Sequence, residues 1–241
     1  MTKINLTIKP ASEEAVKLFH CGNATFPERF SYATKREQAT IARSLKGFDA
    51  QFFRRRFDRA DLDALKQDIL LGHISDRGKS TRRELTKITM NGVHAARART
   101  LSVALMKLWQ KQKKAVMYYL RTVLTRTGML SYTAIIMPGV GESSNIVRGA
   151  LVIGADAPKS VAFGILLEEL LHGVLNIPAR KKFGMTSVSD WLYNEAYTGA
   201  HLYRLLTTLK YSPKIRDSLV FGWQGGKRTK LVNNILLSLN K

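Results

Sequence analysis

The sequence is short of acid. Against 39 lysines and arginines stand 18 aspartates and glutamates, a formal net charge of +21. Self-repulsion on that scale loosens a compact chain and is most easily tolerated beside a polyanion. Nucleic acid is the first partner this brings to mind and an anionic membrane surface the second. Cysteine is nearly absent too: Cys21 alone excludes an internal disulfide and fits a reducing compartment. No apolar run approaches the roughly 20 residues of a membrane span. The stretch MTKINLTIKP lacks the apolar centre of a secretion signal. These absences point to a soluble, intracellular chain. Motifs of catalysis are scarce as well. GVGES at 139–143 lacks the Gly-x-Ser-x-Gly pattern of a hydrolase elbow. Gly78-Lys79-Ser80-Thr81 ends like a phosphate-binding loop, but His73 stands where the upstream glycine is needed, and Gly72 is one residue too far. His20, His73, His94 and His201 show no metal-ligand spacing. No helix-turn-helix, zinc-finger or RNP-type signature occurs.

What is present is hydrophobic patterning, at 45% apolar residues, and clustered cations. Residues 77–127 hold thirteen Lys or Arg and one acid, Glu84. From 93 to 127 there is no Gly or Pro, and Leu101, Leu105, Leu108, Val116, Tyr119, Leu120 and Val123 recur at three- and four-residue steps. That is one buried face of a long helix. Residues 1–10 alternate, Ile4, Leu6 and Ile8 against Asn5, Thr7 and Lys9, and read as a strand stopped by Pro10. Such a strand needs an edge, in its own body or on a neighbouring copy. Ser12 is placed to cap a helix carrying Ala15, Val16, Leu18 and Phe19, with Gly22-Asn23 and Pro27 as its breakers. Further helices are expected at 34–45, 61–71 and 191–209. Phe48, Phe52, Phe53 and Phe57 interleave with Arg54, Arg55 and Arg56. Gly128 ends the long helix, and the texture changes there. Residues 132–137 are strand-like, Pro138-Gly139 is a turn, and 146–154 and 161–175 are apolar. Gly225-Gly226 reads as a joint before a short amphipathic helix. The expected fold is mainly α: two helical lobes with a groove between them, few short strands, and terminal arms. The arms are 1–15 and 226–241, and the lobes 16–127 and 128–225.

The cations fall in two sets. Lys79, Arg82, Arg83, Lys87, Arg97, Arg99 and Lys107 belong to the first lobe. Arg180, Lys181, Lys182, Lys227 and Arg228 belong to the second. Lys and Arg track phosphates without reading sequence, while apolar and aromatic side chains cover bases. Two cationic walls therefore predict non-sequence-specific binding of single-stranded RNA or DNA. A second candidate is Glu168-Glu169-Leu170-Leu171-His172, which resembles a zinc-protease helix motif with its first histidine replaced by glutamate. Glu168 and His172 share a helix face, but Leu175 and Pro178 stand where a glycine and a third ligand belong. The motif is also similar to degenerate zinc-protease-like domains of bacteria. The plain alternative is a helix with two solvated acids and one histidine.

Several segments together resemble the small nucleoproteins of bunyaviruses, most closely the peribunyavirus type. They are Lys87-Ile88-Thr89-Met90 with Thr100-Leu101, and Met137-Pro138-Gly139 with Val161-Ala162-Phe163-Gly164-Ile165. Arg180-Lys181-Lys182-Phe183-Gly184-Met185 before Trp191, and Phe221-Gly222-Trp223 with Lys227-Arg228-Thr229, complete the set. Residues 1–70 carry almost none of it. The resemblance implies encapsidation of single-stranded genomic RNA between the lobes, with no bond broken and no cofactor or metal. It implies arms that reach neighbouring subunits, Ile4, Leu6 and Ile8 in one and Leu231, Ile235 and Leu236 in the other. Homo-oligomers, a viral polymerase as further partner, and residence in the virion and host cytoplasm follow from the same likeness. The alternatives are a degenerate zinc-peptidase-like domain centred on Glu169 and His172, or a basic membrane-associated matrix protein.

Overall fold

The structure, a computed structural model, describes residues 2–25, 45–46, 48–56, 83–84, 86–90, 93–124, 128–139, 144–147, 150–183, 189–222 and 225–239. The helices expected at 34–45 and 61–71 lie outside these, apart from Leu45.

Period-two alternation makes β1 (Thr2–Pro10): Ile4, Leu6 and Ile8 are buried while Lys3, Asn5, Thr7 and Lys9 are exposed. It joins a four-stranded sheet of order β1-β4-β6-β5, with β4 at Gly128–Met137, β5 at Ser144–Val147 and β6 at Ala150–Gly154. β4 and β6 run parallel, with Ala134 opposite Leu151 and Ile136 opposite Ile153. All of these side chains are buried, as an unbroken apolar run in parallel strands requires. β5 pairs antiparallel with β6. A short antiparallel bridge also joins β2 (Leu45–Lys46) to β3 (Thr89–Met90).

Helix α1 (Glu13–Thr25) lays Ala15, Val16 and Phe19 on Ile135, Met137, Ala150 and Val152 of the sheet. Ser12 accepts a bond from the Ala15 amide at 3.2 Å, as its capping position predicts. The helix runs past Gly22-Asn23, and the Thr25 hydroxyl donates to the Cys21 carbonyl inside its last turn. The Pro138-Gly139 turn closes on this helix: His20 Nε2 donates to the Pro138 carbonyl at 2.7 Å. Gly139 has φ +72°, and a Cβ there would run into the His20 ring, so glycine is required twice over. Helix α2 (Ala50–Arg56) ties Arg54 to the Thr25 carbonyl at 2.9 Å.

Helix α3 (Val93–Val123) is the longest described element, at 31 residues. Ala98, Leu101, Leu105, Trp109, Val116, Tyr119 and Leu120 form its buried stripe. Helices α4 (Lys159–Phe183), α5 (Ser189–Thr208), α6 (Pro213–Phe221) and α7 (Gly225–Leu239) follow. The expected apolar run at 161–175 is the buried first part of α4, and the basic run 180–182 continues the same helix. Gly225-Gly226, read as a joint, instead forms the first turn of α7. The described chain is thus mainly helical with a small sheet. None of its helices is long and apolar enough to cross a membrane.

Two compact units are present. One gathers Met1–Thr7, Leu105–Tyr132 and Pro158–Lys241; the other gathers Ile8–Ala104 and Thr133–Ala157. Each takes chain from both sides of Gly128, where the sequence shows its change of texture.

Candidate functional site

The long helix separates its surfaces by charge. It carries no acidic residue, and Arg97, Arg99, Lys107, Lys111, Lys113, Lys114 and Arg121 are all exposed. Lys107, Lys111, Lys114, Tyr118 and Arg121 follow one another at steps of four, three, four and three, so they form one stripe opposite the buried one. Tyr118 is 71% exposed within it. Of the residues predicted to bind RNA, Arg83, Lys87, Arg97, Arg99 and Lys107 are exposed. Two of them have acidic partners: Lys87 pairs with Glu84 at 2.9 Å, and Arg97 with Asp156 at 3.4 Å. Lys79 and Arg82 lie outside the described residues, as do the side chains of Arg180, Lys181, Lys182 and Lys227. Lys111, Lys114 and Arg121 did not enter the predicted set, although their three- and four-residue spacing was already a signal.

Arg228 is a correction. Predicted as a surface cation, it is 2% exposed. The first turn of α7 delivers it into the protein because Val232 and Ile235, on the same face, are buried where α7 packs on α5. The helices pack closely here: a Cβ at Gly199 would stand 3.4 Å from both Arg228 Nη2 and Val232. The predicted oligomerisation residues also turn inward. Ile4, Leu6, Ile8 and Ile235 are buried in their own chain, and Leu231 and Leu236 are half-buried. The apolar face of the N-terminal strand is thus satisfied within its own chain, while the C-terminal helix keeps Leu231 and Leu236 half-buried and Leu237 exposed.

Around Arg228 lies a buried charge centre. Glu168 and His172, one turn apart on α4, meet Glu195 of α5. Arg228 Nη2 donates to Glu168 Oε1 at 3.3 Å and lies 3.8 Å from Glu195 Oε2. Its Nη1 donates to the Val220 carbonyl at 3.1 Å. His172 Nε2 is 3.5 Å from Glu195 Oε1, and its Nδ1 is 3.2 Å from the Thr198 hydroxyl. The acids are not solvated: Glu168 and Glu169 are both buried. Burial pushes Glu168 up to about 8, against the pull of Arg228 and with the push of Glu169 and Glu195. Burial also raises Glu195, with Arg228 again opposing. Burial, and then the Arg228 charge, hold His172 down at about 4, so its imidazole is neutral at pH 7.

No protein family, curated protein or solved structure matches the chain. The site's chemistry therefore rests on its geometry. One donor atom each from Glu168, His172 and Glu195 lies within 4.8 Å of the others, and two carboxylates with an imidazole are a donor set that zinc accepts. Zinc at about 2.1 Å from each donor would draw them to roughly 3.4 Å apart. The Arg228 guanidinium is already on the first of them. As they stand, these residues do not fit a metal ion. Glu195 was invisible in the sequence, since a ligand on a neighbouring helix has no fixed spacing from the motif it completes.

The same unit holds a cavity of about 760 Å³ beside Tyr119, Tyr197, His201 and Arg204. Tyr119 and His201 are joined there by a 2.8 Å hydrogen bond between the hydroxyl and Nδ1.

Proposed function

We propose that this protein binds single-stranded RNA without sequence preference, along the cationic stripe of α3. The observation that carries the reading is the acid-free helix with Lys107, Lys111, Lys114 and Arg121 exposed on one face. Phosphates run along such a stripe, and exposed Tyr118 offers a stacking surface to a base. The net charge of +21 supports a polyanionic partner over a neutral one. Encapsidation of viral RNA, in a virion ribonucleoprotein and the host cytoplasm, is the fuller form of this reading and draws on the nucleoprotein resemblance. The inward packing of Ile4, Leu6 and Ile8 weakens the N-terminal strand as an exchanged arm within it, while Leu231 and Leu236 stay half-buried.

The test is fluorescence anisotropy with labelled oligonucleotides over a salt series. Four engaged cations give a log–log slope of roughly −3 on single strands. The triple variant K107E/K111E/K114E should lose most of the affinity and reduce that slope by roughly 2. A nearly flat salt dependence, or full affinity in the triple variant, refutes the reading. Flotation with anionic vesicles in place of RNA would mark a membrane-associated matrix protein instead.

A second reading is favoured by one observation, the convergence of Glu195 on Glu168 and His172. It makes the chain a zinc-peptidase-like domain, with Glu169 at the position of a general base. Arg228, 3.3 Å from Glu168, stands on that donor set.

A further inference from the structure

We infer that Arg228 is the resident cation of a latent divalent-metal site. Its side chain fills, from the first turn of α7, the place among Glu168, His172 and Glu195 that a metal ion would take. The charge arrangement motivates this. Glu168 is buried and Glu195 half-buried beside it, and carboxylates taken out of water call for a positive group at close range. Arg228 Nη2 reaches both, at 3.3 Å to Glu168 and 3.8 Å to Glu195. The guanidinium is not shaped to this job as a bidentate fork. Nη1 is turned away to the Val220 carbonyl, and buried Nε has no hydrogen-bond partner among the described residues. A group chosen for pairing alone would spend all of its donors; this one serves as a point charge. A divalent ion performs the same neutralisation with the same three donors and gains a coordination bond from His172. Thr198 also fixes the His172 ring through Nδ1, which leaves Nε2 facing the carboxylate of Glu195.

The inference stands apart from RNA binding and from the peptidase reading, since a metal held here need cleave nothing. It predicts that the site discriminates between two cations, one built in and one free, and that removing the first admits the second.

The experiment compares the wild-type chain with R228A, R228K and the double variant R228A/H172A. Each is stripped with chelator, incubated with zinc sulfate and desalted. Zinc is measured by elemental analysis and melting temperature by scanning calorimetry. R228A is expected to take up one zinc per chain and to melt at a temperature that rises with zinc concentration. Wild type and R228K should take up none, and R228A/H172A should lose the uptake. If R228A folds only when zinc is supplied, the inference is supported in its strongest form. Stoichiometric zinc in the wild type overturns it. So does folded R228A without zinc, R228A that stays unfolded in zinc, or uptake that survives loss of His172.

Discussion

Glu168 shares its buried setting with Glu169, Glu195, His172 and a single guanidinium. Its folded-state value of about 8 lies above the ordinary 4.5, so the stability it contributes is complete below 4.5 and lost as pH rises towards 8. Glu195, also raised, works in the same direction. His172 works in the opposite one: held at about 4 from 6.5, it contributes stability above 6.5 that is lost as pH falls. The opposing effects overlap between 4.5 and 6.5, and the carboxyls act alone above that. His172 offsets only one of the two raised carboxyls, so urea-unfolding free energy should fall gently across the overlap. It should then fall by up to about 1.4 kcal/mol per pH unit towards pH 8. E168Q should flatten the fall; an unchanged slope in that variant means another group is responsible. Cys21 takes no part: it is fully buried, and burial pushes its thiol up to about 12. At this scale the sequence was only half legible. It marked Glu168 and His172 by their one-turn spacing. It could not show that Arg228 faces them, because a lysine- and arginine-rich turn reads alike whether it points out or in.

The elements divide by how local their cause is. β1 and α3 were readable because a two-residue period and a three-to-four-residue period each state which face is buried. β5 and β6 were not, since an apolar run such as Ala150–Gly154 has no period and suits a buried helix equally well. The burial of β1 makes a sharp prediction. Ile4, Leu6 and Ile8 are each worth about 2 kcal/mol of buried apolar surface. Deleting residues 1–10 should lower the melting temperature steeply or prevent folding, while I4A alone leaves the sedimentation coefficient unchanged. A shift from oligomer to monomer in I4A, with melting temperature retained, would instead restore the strand to an intermolecular role. α7 follows the same logic. Part of its apolar face, read as a surface for another subunit, is spent on α5 through Val232 and Ile235, while Leu231 and Leu236 stay half-buried.

For the whole molecule, +21 of formal charge is a standing repulsion. Added salt, and more strongly a polyanion such as heparin or a single-stranded RNA, should raise the melting temperature. A melting temperature indifferent to both would mean that the cations are already neutralised within the chain. Composition alone made this property legible. It did not show which cations are free, because pairs such as Arg97 with Asp156 join residues far apart in sequence. The buried guanidinium also sets an order in time. A ribosome releases Glu168, His172 and Glu195 before Arg228, so the nascent α4 and α5 carry carboxylates without their counter-charge. The charge centre is complete only once α7 brings Arg228 to it. A premature stop codon before position 228 would thus leave a chain with its acids exposed, for quality control to remove, rather than a shorter working protein.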